Sequence, residues 1–226
     1  ASKSHLLSQV IESECVFNGD WVPASGPLQS IIEPATGERL MRCATADSAD
    51  IAKASRDAAV AQPGWAALGP RQRAAIFRKA ADVAEQSFDE LALYVARETG
   101  AALFKGQHEV REAIVLLHQA AGLLSQAHGV VLPSEAGRLS YARRQPHGVV
   151  GVISPWNYPV SLALIPLATA IAAGNHVMVK PSEYTPRTSA FLRDLLAEVF
   201  PSDRVAMALG GADVAGAFAA LPFDHL

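Results

Sequence analysis

Two short segments carry the residue types from which a site could be built. In Ser154-Pro155-Trp156-Asn157-Tyr158-Pro159, two prolines fix the backbone and remove two N–H donors. The result is a stiff turn that presents carbonyls and the Asn157 amide in set directions. Such an amide suits an oxyanion, because preorganised donors contribute most where charge develops. It could equally cap the helix that follows. In Lys180-Pro181-Ser182-Glu183-Tyr184-Thr185-Pro186, an ammonium and a carboxylate stand three positions apart. A carboxylate at the end of a second strand is what ribose hydroxyls need in a dinucleotide site, and a nearby ammonium can share the same sugar. Glu183 would also repel a 2′-phosphate. The plainer reading of an isolated Lys-x-x-Glu is a solvated pair on a loop. A third segment, Gly210-Gly211, could let a phosphate approach a helix N-terminus. No GxGxxG accompanies it, and a plain turn explains the pair as well.

The elements around these segments decide whether they meet. Val149 to Ile153 is a short apolar β-branched run, as expected of a buried parallel strand. A helix should follow from about Pro159 to Ala173 and end at Gly174-Asn175. Val177 to Lys180 reads as a second strand, and Thr185-Pro186 starts a helix that ends near Phe200-Pro201. Val205 to Leu209 makes a third strand. The order βαβαβ over 146–226 predicts an α/β fold, a doubly wound, Rossmann-like parallel sheet with right-handed crossovers. Ligands of such sheets bind beyond the carboxyl ends of the strands, where both segments lie. The third strand should form an open edge and promote association.

Upstream, 1–127 reads as short strands followed by helices. Val16 to Val22 should be a hairpin turned by Asn18-Gly19, and Glu33 to Glu38 another turn. Ser48 resembles an N-cap for a helix to about Gln62. Phe77, Ala80, Ala84, Phe88, Leu91 and Val95 form one helical stripe, which Gly100 terminates. Val110, Ile114, Leu117, Ala121 and Leu124 form the next. Between these helices and the sheet, 128–145 reads as a protruding β-hairpin, Val130-Val131-Leu132 against Leu139-Ser140-Tyr141-Ala142.

Composition sets the outer bounds. Of 226 residues, 50% are hydrophobic and 18% charged, enough apolar material for a substantial core. The net charge of −3 and the scattered basic residues argue against a nucleic-acid or anionic-membrane surface. The most apolar stretch, Val160 to Ala173, is too short for a bilayer span and contains Pro166. Cys15 and Cys43 lie outside any CxxC pattern, which argues against a disulfide framework or a metal site. With no apolar signal-like run behind the first residues, a cytoplasmic location is expected.

Taken together, the segments resemble the aldehyde dehydrogenase superfamily. The likeness rests on Gly151 to Pro159, Ala172-Ala173-Gly174-Asn175 and Lys180-Pro181-Ser182-Glu183, with Asn157 and Lys180 standing 23 residues apart. Asn18-Gly19-Asp20-Trp21, Pro34-Ala35-Thr36-Gly37 and Arg97-Glu98-Thr99-Gly100 also resemble landmarks of that family. The resemblance implies that Ile153, Ser154, Pro155 and Trp156 line a nicotinamide and phosphate path. Lys180 and Glu183 would hold the adenosine ribose, with Ser182 beside them, and NAD is implied over NADP. Asn157 would be the catalytic residue of this chain, stabilising the thiohemiacetal oxyanion. The 128–145 hairpin would join copies into a dimer or tetramer. Family members are about twice as long and carry their glutamate base and nucleophilic cysteine beyond the point matching Leu226, so the resemblance implies that the catalytic domain is absent from this chain. Neither Cys15 nor Cys43 has the nucleophile's context, so the chain alone is expected to be inactive. The stretch from His128 to Arg144 is similar to members acting on benzaldehyde-like substrates, and the closing stretch from Gly210 to Leu226 to the coniferyl-aldehyde branch. Both imply an aromatic aldehyde substrate. The reading from a different class is a non-catalytic binding or assembly module that associates with a longer partner.

Overall fold

A computed structural model describes residues 14–18, 20–23, 25–124, 129–200 and 204–226. In chain order they form β1 (Glu14–Asn18), β2 (Asp20–Pro23), β3 (Leu28–Ile32), β4 (Arg39–Ala44), α1 (Ser48–Ala66), α2 (Pro70–Gln86), α3 (Phe88–Thr99) and α4 (Leu103–Leu123). There follow β5 (Val130–Leu132), β6 (Ser140–Ala142), β7 (Val149–Ile153), α5 (Ser161–Ala172), β8 (His176–Lys180), α6 (Pro186–Ala197), β9 (Val205–Ala208) and α7 (Ala212–Ala219).

The three apolar runs expected as parallel strands are β7, β8 and β9. Val150 pairs with Val177 and Val177 with Val205, both in parallel. Every residue of β8 is buried, as a central strand covered on both faces requires. The crossovers through α5 and α6 step the same way, β7 to β8 to β9, so the right-handed rule for such units puts both helices on one face of the sheet. Helices α2, α3 and α4 pack over that layer, while α1 and α7 pack together. After α7 the chain returns to the far side of β7. There His225 bridges Val150 in parallel, the Gly151 N–H donates to the His225 carbonyl at 2.8 Å, and the Asp224 N–H donates to the Val149 carbonyl at 3.0 Å. Strand order therefore reverses at β7, the kind of point where a doubly wound sheet opens a crevice.

The open edge expected at β9 does not exist. The sheet runs β2-β1-β9-β8-β7, with β1 antiparallel to β9 (Phe17 opposite Met207) and β2 beyond it. The N-terminal hairpin covers that edge through a pairing nearly two hundred residues away in sequence. Its turn residue Gly19 lies outside the described residues.

Two local expectations are also corrected. The N-cap of α1 is Asp47 rather than Ser48: Asp47 accepts from Ala49 N and Asp50 N, and Asp50 accepts from Asp47 N, a reciprocal capping box. The helix then runs through Pro63 to Ala66. The apolar stripe from Phe77 to Val95 is two helices, not one, because the chain breaks at Ser87 with φ −106° and ψ 10°. The stripe keeps its phase across the break, so α2 and α3 both pack on α4. Gly100 ends α3 in the left-handed region at φ +70°.

Apart from the main sheet, β5 and β6 form an antiparallel hairpin, Val131 opposite Tyr141, with all six strand residues exposed. Among the described residues these two strands pair only with each other. No helix among the described residues is long and apolar enough to cross a membrane.

Candidate functional site

The two bends meet. Ile153, the last residue of β7, is in register with Lys180, the last of β8, and the Ser154 N–H donates to the Lys180 carbonyl at 3.1 Å. Both bends therefore leave the same end of the sheet, side by side. Ile153, Pro155, Trp156 and Asn157 are exposed, and Ser154 is buried. The Ser154 hydroxyl has no hydrogen-bond partner among the described residues.

Lys180 and Glu183 are not a solvated pair. Lys180 is only 3% exposed, and its ammonium lies 3.4 Å from a Glu183 carboxylate oxygen that is partly open to solvent. Burial pushes the Lys180 ammonium down from its usual pKa, and the Glu183 charge opposes that fall. Ser182 is buried, its hydroxyl accepting from Tyr184 N at 3.3 Å.

Nor does Asn157 cap the helix behind it. The first amides of α5, Val160 N and Ser161 N, donate to one oxygen of Glu109, at 2.7 and 2.9 Å. Glu109 projects from α4 and is 1% exposed. The Asn157 side chain is left exposed, with no hydrogen bond among the described residues. Its carbonyl accepts from the Lys105 ammonium at 2.7 Å. The second bend is held in the same way. At the start of α6, Arg187 N and Thr188 N donate to the two oxygens of Glu98, both at 2.8 Å, and the Thr188 hydroxyl donates at 2.6 Å. Burial raises the Glu98 carboxyl to about 7, against the lowering effect of those donors. Burial raises Glu109 as well, opposed by its two backbone donors.

Sequence reading missed Glu98 as an anchor, although it singled out Arg97-Glu98-Thr99-Gly100, and missed Glu109 and Lys105 altogether. One signal was available: a glutamate among the buried positions of a helical stripe must find donors.

A cavity of about 430 Å³ opens between the bends and the β3–β4 hairpin, lined in part by Trp156, Tyr184, Glu98 and Thr99. Gly210-Gly211 does not line this cavity. It follows β9, and Gly211 lines a separate cavity of about 580 Å³ with Asp47, Ser48 and Asp213. A Cβ at Gly210 would come 2.5 Å from a Val214 methyl, so the first turn of α7 requires glycine there. Cys43 is buried on β4 and its thiol donates to the Ala44 carbonyl, a structural placement; the side chain of Cys15 lies outside the described residues.

Residues 21–222 match the aldehyde dehydrogenase family. The chain belongs to that family. It is 42% identical over 207 residues to vanillin dehydrogenase of Amycolatopsis sp. (strain ATCC 39116 / 75iv2), covering 89% of this chain and 42% of the relative. It is 40% identical over 202 residues to benzaldehyde dehydrogenase [NAD(+)] of Pseudomonas putida, covering 88% of this chain and 42% of that one. An 82-residue stretch, 36% of this chain and 17% of the relative, is 62% identical to a probable coniferyl aldehyde dehydrogenase of Pseudomonas aeruginosa. Among solved structures, an NAD-dependent benzaldehyde dehydrogenase from Corynebacterium glutamicum superposes with a TM-score of 0.86 at 29% identity, over 91% of this chain and 46% of that one. An E. coli NADP-dependent enzyme gives 0.87 at 26% identity, over 92% and 44%. This aldehyde dehydrogenase chain thus spans less than half the length of the relatives it matches.

Proposed function

We propose that this chain is the cofactor-binding part of an NAD-dependent aldehyde dehydrogenase that oxidises aromatic aldehydes to carboxylic acids. The observation that carries the reading is the Ser154–Lys180 backbone bond, which joins two polar bends beside the reversal of strand order at β7. Open α/β sheets bind dinucleotides at such points.

The residues there suit the cofactor. The Lys180 ammonium makes one hydrogen bond among the described residues, to Glu183, and an ammonium has three donors, so two remain for ribose hydroxyls. The Glu183 carboxylate accepts from the same sugar. The buried, unpartnered Ser154 hydroxyl offers a further donor beside Ile153, Pro155 and Trp156 on the nicotinamide side. Gly210-Gly211 and the start of α7 face the phosphates in this reading. When bound, NAD would supply the hydride acceptor. Asn157 donates its side-chain N–H to the aldehyde oxygen as a cysteine thiolate, supplied outside this sequence, attacks the carbon. A fixed donor of this kind is worth ~10²–10³ in rate.

The aromatic substrate class is supported by the names of the vanillin and benzaldehyde relatives. Preference for NAD rests on Glu183, whose charge opposes a 2′-phosphate, since relatives of both cofactor types share this fold. Calorimetric titration of the chain with each cofactor tests the reading. NAD should bind more tightly than NADP, and Glu183→Gln should narrow the gap. No heat at millimolar NAD would leave the assembly-module reading in its place.

A further inference from the structure

The turn that carries Asn157 is tied to its own helix at one point, where the Leu162 N–H donates to the Tyr158 carbonyl at 3.0 Å, and no backbone bond among the described residues closes it at Asn157. A β-turn closed at Pro159 or Pro155 needs an N–H that proline lacks. The Asn157 carbonyl would ordinarily turn to Val160 N, and that amide is already given to Glu109. Both polar needs are met from α4, by side chains one helical turn apart. Lys105 donates to the Asn157 carbonyl at 2.7 Å, and Glu109 accepts from Val160 N and Ser161 N. The Lys105 ammonium also sits 4.3 Å from the centre of the Tyr158 ring, so it bridges two consecutive residues of the turn.

The base of this grip is rigid. Gly106 lies next to Lys105 and is buried, and a Cβ there would collide with the Ala92 carbonyl of α3. Close approach at Gly106 therefore sets the depth of α4 against α3, and with it the reach of Lys105 and Glu109. Glu109 is fully enclosed, and its second oxygen has no partner among the described residues. A carboxylate kept in that state is costly unless its two helix-end amides matter to the local geometry.

We infer that Lys105 and Glu109 are positioning residues that clamp the Asn157 turn from its two ends and so aim the amide. The inference rests on the oxyanion role proposed for Asn157. Neither side chain touches the reacting atoms; each acts through the backbone on one side of Tyr158. A misplacement of about 1 Å in such a donor costs about 100-fold in rate.

The test uses a double-mutant cycle in the full-length enzyme of the proposed function, together with amide hydrogen exchange on this chain. Lys105→Met keeps the stem and removes the donor, and Lys105→Arg restores a cation. Lys105→Met should lower kcat by roughly 10- to 100-fold with NAD affinity and aldehyde KM nearly unchanged, and Lys105→Arg should recover most of it. Added to Asn157→Ala, Lys105→Met should cost nothing further, because it acts only through that amide. Glu109→Gln should retain much of the activity, and Glu109→Ala should lose it. Exchange should quicken at Val160 and Ser161 in Glu109→Ala and leave Val177 to Val179 protected. Should Glu109→Ala fail to fold, the Lys105 series decides alone. Additive losses in the Lys105–Asn157 cycle, or a loss confined to KM, overturn the clamp. If Asn157→Ala turns over as fast as the parent, the oxyanion role falls instead. The clamp then stands or falls on whether Lys105→Met alters exchange across Trp156 to Ser161.

Discussion

The Glu98 carboxyl, raised to about 7 by burial, is a single residue with a measurable thermodynamic signature. Its ordinary value is 4.5, so between pH 4.5 and 7 the folded chain holds a proton that the unfolded chain has released. Stability from this group is thus greatest at low pH and declines as pH rises through that window, by about 3 kcal/mol in all. Glu98→Gln cannot titrate. Urea unfolding at pH 5, 6, 7 and 8 should therefore show the parent losing stability relative to Glu98→Gln as pH rises, and levelling above 7. A difference that stays flat across the range would mean that Glu98 ionises in place as easily as in water. Lys180 shows how far a residue's surroundings were readable. The Lys180–Glu183 pairing was visible as spacing, but a Lys-x-x-Glu says nothing of burial. The 3% exposure arises because Lys180 ends a central strand flanked by β7 and β9.

At the scale of elements, what was legible was local. β7 coincides with the run Val149–Ile153, because β-branched residues in an unbroken apolar stretch fit a doubly covered strand. Gly174, at φ +99°, ends α5 where a glycine after an apolar helix should. What was not legible is the capping of one helix by another. Glu109 of α4 closes the start of α5, and Glu98 of α3 closes the start of α6, across 51 and 89 or more residues. No window along the chain contains both partners. The break at Ser87 escaped for a related reason: Phe88, Leu91 and Val95 continue the stripe of Phe77, Ala80 and Ala84, so periodicity alone cannot see it. Asp47 is the cap whose partners are all local, and it gives the element-scale prediction. Asp47→Ala removes two acceptor contacts and one half of the box, and should cost about 1 kcal/mol, read as a lower urea midpoint with unchanged slope. Ser48→Ala, by contrast, should leave the midpoint nearly unmoved, since Ser48 makes none of the cap bonds. Equal losses at the two positions would contradict the assignment of the cap.

For the whole molecule, covering β9 with β1 and β2 removes the edge that the order of parallel strands alone would leave open. Any association between copies would then use another surface. We propose the β5–β6 hairpin as that surface: a ribbon of two three-residue strands is too short to be stable in water unaided. Val131 and Leu139 are each 73% exposed, and Val130 and Tyr141 are more than half exposed. An apolar ribbon of this kind would gain stability by lying on another copy, the role that the family resemblance implies for 128–145. Exposed Leu162 and Ile165 on α5 compete as a second apolar face. Size-exclusion chromatography with light scattering separates the two. Val131→Glu with Leu139→Glu should shift the chain to monomer at micromolar concentration, whereas Ile165→Glu should leave its mass unchanged. The reverse pattern would move the interface from the protruding ribbon to α5, the helix that directly follows the Asn157 turn.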